Sequence, residues 1–83
     1  MISIIVPAYN EEEGIEKFIN EMKKRVKLNE DYELIIINDG SSDKTPVIVN
    51  KMLKGYPSLC LVNHEKNKGI GAAIRTGIQE AKG

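Results

Sequence analysis

Apolar residues follow two rhythms along this chain. Ile2–Val6, Tyr32–Ile37 and Leu59–Val62 are short, nearly continuous apolar runs rich in β-branched residues, the pattern of strands covered on both faces in a parallel sheet. Between the runs, apolar positions fall three and four apart. Ile15, Phe18, Ile19, Met22 and Val26 form one stripe with Glu12, Lys17 and Lys24 on the other side, which predicts an amphipathic helix from about Glu11 to Lys27. Asn10 is its candidate cap. Glu11, Glu12 and Glu13 at the start, and Lys23, Lys24, Arg25 and Lys27 at the end, follow the charge order that the helix macrodipole favours. A second helix is expected with Thr45 as cap and Pro46 at the first helical position, running through Ile48, Val49, Met52 and Leu53 until Gly55 and Pro57 end it. A third places Ile70, Ala73, Ile74, Ile78 and Ala81 along one stripe, with Gly77 marking a close approach to the sheet and Gly83 closing the segment. The order β-α-β-α-β-α with right-handed crossovers gives an α/β chain built on a Rossmann-like, three-stranded parallel sheet.

Composition narrows this picture. Eighty-three residues make one small domain, and such a chain buries only about 60–65% of the surface that its unfolded form exposes. Twelve basic residues balance twelve acidic ones, so no net field draws in polyanions and nucleic acid is excluded as the main partner. The one cysteine, Cys60, lies in the run Leu59-Cys60-Leu61-Val62 and is expected to be a small buried hydrophobe; no internal disulfide can form. No apolar stretch approaches the ~20 residues that span a bilayer. Met1–Val6 lacks the basic start and cleavage site of a signal peptide, which points to the cytosol.

Candidate chemistry gathers where strands give way to helices. In an open α/β sheet, ligands bind outside the carboxyl ends of the strands, where loop backbone and helix N-termini converge. The first such loop, Val6-Pro7-Ala8-Tyr9-Asn10-Glu11, offers an aromatic face for a base and a carboxylate one turn on. Its plainer reading is a strand end, a cover for the core edge and a complement to the helix dipole. The second, Ile37-Asn38-Asp39-Gly40-Ser41-Ser42-Asp43, sets Asp39 where it could accept from a base N–H or a ribose hydroxyl, although Asn-Asp-Gly-Ser is also good turn chemistry. The third, Asn63 to Gly71, carries Lys66, Lys68 and two glycines as a weaker phosphate-side element. Gly69-Ile70-Gly71 fails as a dinucleotide fingerprint because Ile74 occupies the third glycine position and the run follows the third strand. No P-loop, no G-x-S-x-G elbow and no His/Cys metal cluster is present, and the lone His64 is expected to have a surface or turn role.

Taken together, Ile4–Glu11, Leu34–Thr45 and Asn67–Ala73 closely resemble, in order and spacing, the N-terminal part of family 2 glycosyltransferases, nearest the dolichyl-phosphate mannose and glucose synthase branch. The resemblance spans essentially the whole chain. It implies that residues 1–83 are the first three β-α units of a GT-A-type fold, the nucleotide-binding part of a larger, incomplete transferase domain. It also implies substrate-binding roles for Pro7, Tyr9, Glu11, Ile37 and Asp39: Tyr9 against the base face, Asp39 on the base edge, Glu11 at the nucleoside, and Pro7 and Ile37 shaping the pocket. Asn38 stands where many relatives carry the first Asp of an Asp-Asp pair. The implied partner is a UDP- or GDP-sugar, and the implied reaction is inverting transfer to an acceptor, for which a polyprenyl phosphate is one candidate. Mg²⁺ or Mn²⁺ is expected for the full-length family, but its D-x-D ligands belong to a strand following the Ala-Lys-Gly with which this sequence ends. No catalytic residue is therefore assigned here, and the chain alone is expected to be inactive. The family topology sets the strands in the order 3-2-1, leaving strand one as an uncharged edge suited to homodimer formation. A membrane would be met only through a C-terminal part or a lipid acceptor. The competing reading is a non-catalytic α/β binding or self-association module.

Overall fold

The computed structural model describes residues 1–26 and 31–83. The three apolar runs form β1 (Ile2–Ala8), β2 (Tyr32–Asp39) and β3 (Leu59–His64), all parallel, with β2 in the centre. The intervening segments form α1 (Ile15–Arg25), α2 (Thr45–Met52) with a 3₁₀ turn at Leu53–Gly55, and α3 (Ile70–Glu80). This is the expected α/β alternation, and β1 is an edge.

Because side chains alternate across a strand, β2 feeds two cores. Leu34 and Ile36 face Ile15 and Ile19 of α1 and Val49 of α2, together with Ala8, Tyr56 and Leu59. Ile35 and Ile37 face Ala73 of α3, with Ile5, Cys60, Val62 and Ala81 around them. Only β2 is buried on both faces, from Glu33 to Asp39; β1 and β3 are half-buried because each has a neighbour on one side only. Cys60 packs as a small hydrophobe, and burial pushes its thiol up from the ordinary range.

Each of the three helices departs from its expectation in one respect. The first helix begins at Ile15, with Gly14 as its cap residue, because Glu11–Gly14 form a turn in which the amides of Gly14 and Ile15 bond the Glu11 carbonyl. Asn10 does not cap it. The expected end at Lys27 lies outside the described residues. In α3 the isoleucines turn away from the sheet, with Ile70 69% and Ile78 62% exposed, while Ala73 and Gly77 are buried. A β-carbon on Gly77 would run into the Ile5 side chain, so the small-residue row is what allows this helix to lie close to β1. Thr45 is the first residue of α2 rather than its cap, and Pro46 occupies the tolerant first turn.

Candidate functional site

Parallel strands deliver Ala8, Asp39 and His64 to the same end of the sheet. There the first two loops are tied together. Asn10 adopts φ 52°, and its Oδ1 accepts the amides of Ser42 at 2.9 Å and Asp43 at 3.3 Å. In return Ser41 Oγ accepts the Asn10 amide at 3.0 Å, Thr45 Oγ1 accepts that of Glu11 at 2.8 Å, and Asp43 Oδ2 accepts that of Glu12 at 3.2 Å. Asn10 can hold this left-handed conformation because its short side chain finds local partners. These bonds take up the amides that a helix starting at Glu11 would leave open, which is why the polar run makes a rim and not a first helical turn.

Asn38 supports the rim from the second strand. Its Oδ1 accepts the Ser41 amide at 3.2 Å, and its Nδ2 donates to Oδ1 of its ladder partner Asn63 at 2.9 Å. Gly40 follows at φ 70°, where a β-carbon would strike the backbone of Lys66 and Asn67, so the second and third loops touch only because this residue is glycine.

Asp39 is the hub. Only 4% exposed, its carboxylate accepts the Lys68 amide on Oδ1 and the Gly69 amide on Oδ2, each at 2.9 Å. His64 Nδ1 lies 2.9 Å from the same Oδ1. The His64 bond, followed by those amides, holds the Asp39 carboxyl below the usual aspartate range. His64 is therefore not the surface or turn residue expected. The β2–β3 register sets it opposite Asp39 under α3, where Thr76 Oγ1 lies 2.7 Å from its Nε2.

Pro7, Tyr9, Glu11 and Asp39, from two separate loops, line one cavity of about 250 Å³, joined by Ala8, Asn67, Gly69 and Ile70. Tyr9 keeps 48% of its surface exposed on that wall. Ile37 is the exception among the expected residues. It is fully buried against α3, lines neither this cavity nor the next, and reaches the site only as the ladder partner of Pro7. An adjoining hollow of about 210 Å³ on the α1 side shares Pro7, Ala8 and Glu11 and is otherwise apolar, with Phe18 and Ile15. From the third loop, Lys68 contributes its backbone amide to Asp39. Asn67 and Ile70 could not have been assigned from sequence, since only the turn over Gly40 brings them to the wall.

The donor sets do not suit Mg²⁺ or Mn²⁺. Both second-loop carboxylates are engaged by N–H and O–H groups of the protein, Asp39 as above and Asp43 by the amides of Thr45 and Glu12 and the Thr45 hydroxyl. Among the described residues no three His, Cys, Asp or Glu side chains gather to ligate a cation.

Comparison with known proteins agrees with this geometry. Residues 3–83 match the model of glycosyl transferase family 2. Dolichyl-phosphate beta-glucosyltransferase ALG5A of Trichomonas vaginalis is 40% identical over 88 residues, which cover 99% of this chain and 27% of that protein. The human dolichyl-phosphate beta-glucosyltransferase is 36% identical, with 99% and 28% covered. Among solved structures, mannosyltransferase PcManGT from Pyrobaculum calidifontis, in complex with GDP-Man and Mn²⁺, superposes with a TM-score of 0.89 at 26% identity, over 98% of this chain and 24% of that one. S. aureus TarS 1-349 in complex with UDP gives 0.87 at 30% identity, over 99% and 24%. The chain thus spans about a quarter of the length of these relatives. With the family model matched from Ser3 to Gly83 and the GT-A architecture reproduced, the chain belongs to glycosyl transferase family 2, in the branch of the dolichyl-phosphate sugar synthases.

Proposed function

We propose that this chain is the donor-nucleotide-binding part of an inverting glycosyltransferase, taking a UDP- or GDP-sugar whose sugar passes to an acceptor such as a polyprenyl phosphate. One observation carries the reading: Tyr9, Glu11 and Asp39, brought from two strand tips, share a single open cavity. Tyr9 offers an exposed ring for stacking on a base. Asp39 offers an ionised acceptor in a setting already rich in donors. Relatives described in complex with GDP-Man, UDP and UDP-GlcNAc support a nucleotide-sugar as the ligand class.

Residues 1–83 act as the nucleotide-binding part of the domain, and among the described residues no three His, Cys, Asp or Glu side chains gather to hold a metal. Titration of the chain with UDP and GDP is expected to give weak, saturable binding, since no metal-holding group gathers among the described residues to neutralise the diphosphate. Tyr9→Ala and Asp39→Ala should each lower the affinity about tenfold, the scale of one lost stacking or charge-assisted contact. The same preparations, given nucleotide sugar, acceptor and Mn²⁺, should transfer no sugar. Absence of any nucleotide signal would instead favour the self-association module. That second reading has its own support in β1, an edge strand with one neighbour, through which we place homodimer formation. No helix among the described residues is long and apolar enough to cross a membrane; we assign the chain to the cytoplasm, with membrane contact arising only through further sequence or a lipid acceptor.

A further inference from the structure

The reading of the cavity as a nucleoside site leaves the buried His64 side chain beside Asp39 without a task. His64 has only 7% of its side chain exposed, and both ring nitrogens are bonded. Its place follows from the strand period. Ile35, Ile37 and Asp39 point to the α3 side of β2, and the ladder sets Cys60, Val62 and His64 beside them on β3. Thr76, next to Gly77 where α3 approaches most closely, then meets the outer nitrogen of the ring.

The protonation pattern is determined by the partners. Asp39 already accepts two backbone amides, is held ionised, and can only accept. Nδ1 of His64 must therefore carry a hydrogen and donate it. In the neutral ring Nε2 is then an acceptor, and the Thr76 hydroxyl donates to it. The chain runs Thr76 O–H to His64 Nε2, and His64 Nδ1–H to Asp39 Oδ1, with every group satisfied.

We propose that His64, oriented by Thr76, is a positioning residue for the nucleoside cavity. It fixes the one rotamer in which Asp39 closes the third loop over Lys68 and Gly69 while forming the cavity wall. Gly69 sits at φ 91° and Gly40 at φ 70°, conformations with little steric preference of their own, so the loop depends on the Asp39 carboxylate to hold it. His64 touches no ligand itself. Its effect on nucleotide binding passes through Asp39 and through the two amides that Asp39 restrains.

The test uses the 83-residue chain and begins without ligand. The ¹⁵N spectrum of the His64 imidazole should show a protonated Nδ1. Amide exchange at Lys68 and Gly69 should quicken about tenfold to a hundredfold in His64→Ala, the factor expected when a hydrogen bond to a charged group is lost. Exchange at Leu34 and Ile36, in the centre of β2, serves as the measure of global stability and should change far less. His64→Asn keeps a donor at the Nδ1 position and should restore slow exchange, whereas Thr76→Val removes only the partner of Nε2, so it should leave Nδ1 protonated and quicken exchange at Lys68 and Gly69 by a smaller factor than His64→Ala. UDP and GDP affinities should follow the same order, falling about tenfold in His64→Ala and recovering in His64→Asn.

A wild-type ring protonated on Nε2 alone would overturn the proposal before any variant is made. So would His64→Ala with unchanged exchange at Lys68 and Gly69, or His64→Asn without recovery. Wild-type protein that bound neither nucleotide would sink the nucleoside reading and leave this one to the ligand-free measurements, which decide it alone. If His64→Ala does not fold, the wild-type spectrum and His64→Asn carry the decision.

Discussion

Asp39 and Glu33 are buried acids of the central strand, and each is kept ionised by donors that arrive from distant sequence. For Asp39 these are His64 and the third-loop amides; for Glu33 they are the Ser3 hydroxyl at 2.7 Å and the Lys82 amide at 2.6 Å. Both carboxyls titrate below their ordinary ranges, Asp39 chiefly through His64 and Glu33 chiefly through Ser3. A folded value below the unfolded one means that the native state resists protonation. The stabilisation is therefore full above the ordinary carboxylate range, about 4, and is lost as pH falls through the lowered values. Urea midpoints should stay level from neutral pH to about 5 and decline below about 4. Asp39→Asn and Glu33→Gln should each lower the plateau and flatten that acid limb; an identical limb in the double variant would refute the assignment. Sequence exposed half of this arrangement. Asp39 at a strand tip is legible as a loop carboxylate, but its partner is set by which residue of β3 lies opposite, and pairing register leaves no local signal in a run such as Leu59–His64. Glu33 was hidden for the same reason, since its partners lie at the two ends of the chain.

At the scale of elements, α3 separates what periodicity reveals from what it leaves open. Its apolar residues fall in two adjacent rows, Ile70-Ile74-Ile78 and Ala73-Gly77-Ala81, and helical spacing alone accepts either as the buried face. Volume decides. The row of small side chains lets the helix axis approach Ile5, and large isoleucines on that face would hold it off the sheet. Gly77 was legible from sequence as the point of closest approach, while the exposure of the isoleucines was not. Gly77→Ala tests this. In an exposed helix the change would stabilise by about 1 kcal/mol; here the new methyl meets a β-branched side chain with little rotamer freedom, and overpacking costs about 1–3 kcal/mol. The variant should therefore be destabilised by about 1–2 kcal/mol in thermal or urea unfolding. Ile5→Ala in the Gly77→Ala background should recover part of the loss beyond additivity, because the two groups are in contact. A Gly77→Ala protein as stable as its parent would show that the helix is free to shift away.

For the whole molecule, the consequence of strand order β1-β2-β3 is an asymmetry between its two sheet edges. The β3 edge follows a strand whose tip is anchored by Asn63 to Asn38 and by His64 to Asp39, whereas β1 presents Ile2–Val6 without a charge, a bulge or a second neighbour. Such an edge offers unpaired backbone groups to another strand. Apolar surface continues beside it, since Phe18 shares a hollow with Val6 and Pro7. At its start the Gly83 amide donates to the Ser3 side chain, at Oγ, at 3.0 Å. Two copies meeting edge to edge about a two-fold axis would pair their β1 strands antiparallel and merge the sheets into one of six strands. Light scattering over a concentration series should then show reversible growth from monomer to dimer. Ile2 is the informative position because it is exposed on this strand and contributes little to either core. Ile2→Lys adds a charge that opposes pairing without opening a cavity, and should weaken association about tenfold or more at unchanged unfolding midpoint. A parent chain that stays monodisperse and monomeric at high concentration would leave the β1 edge without this partner, and the self-association reading would fall with it.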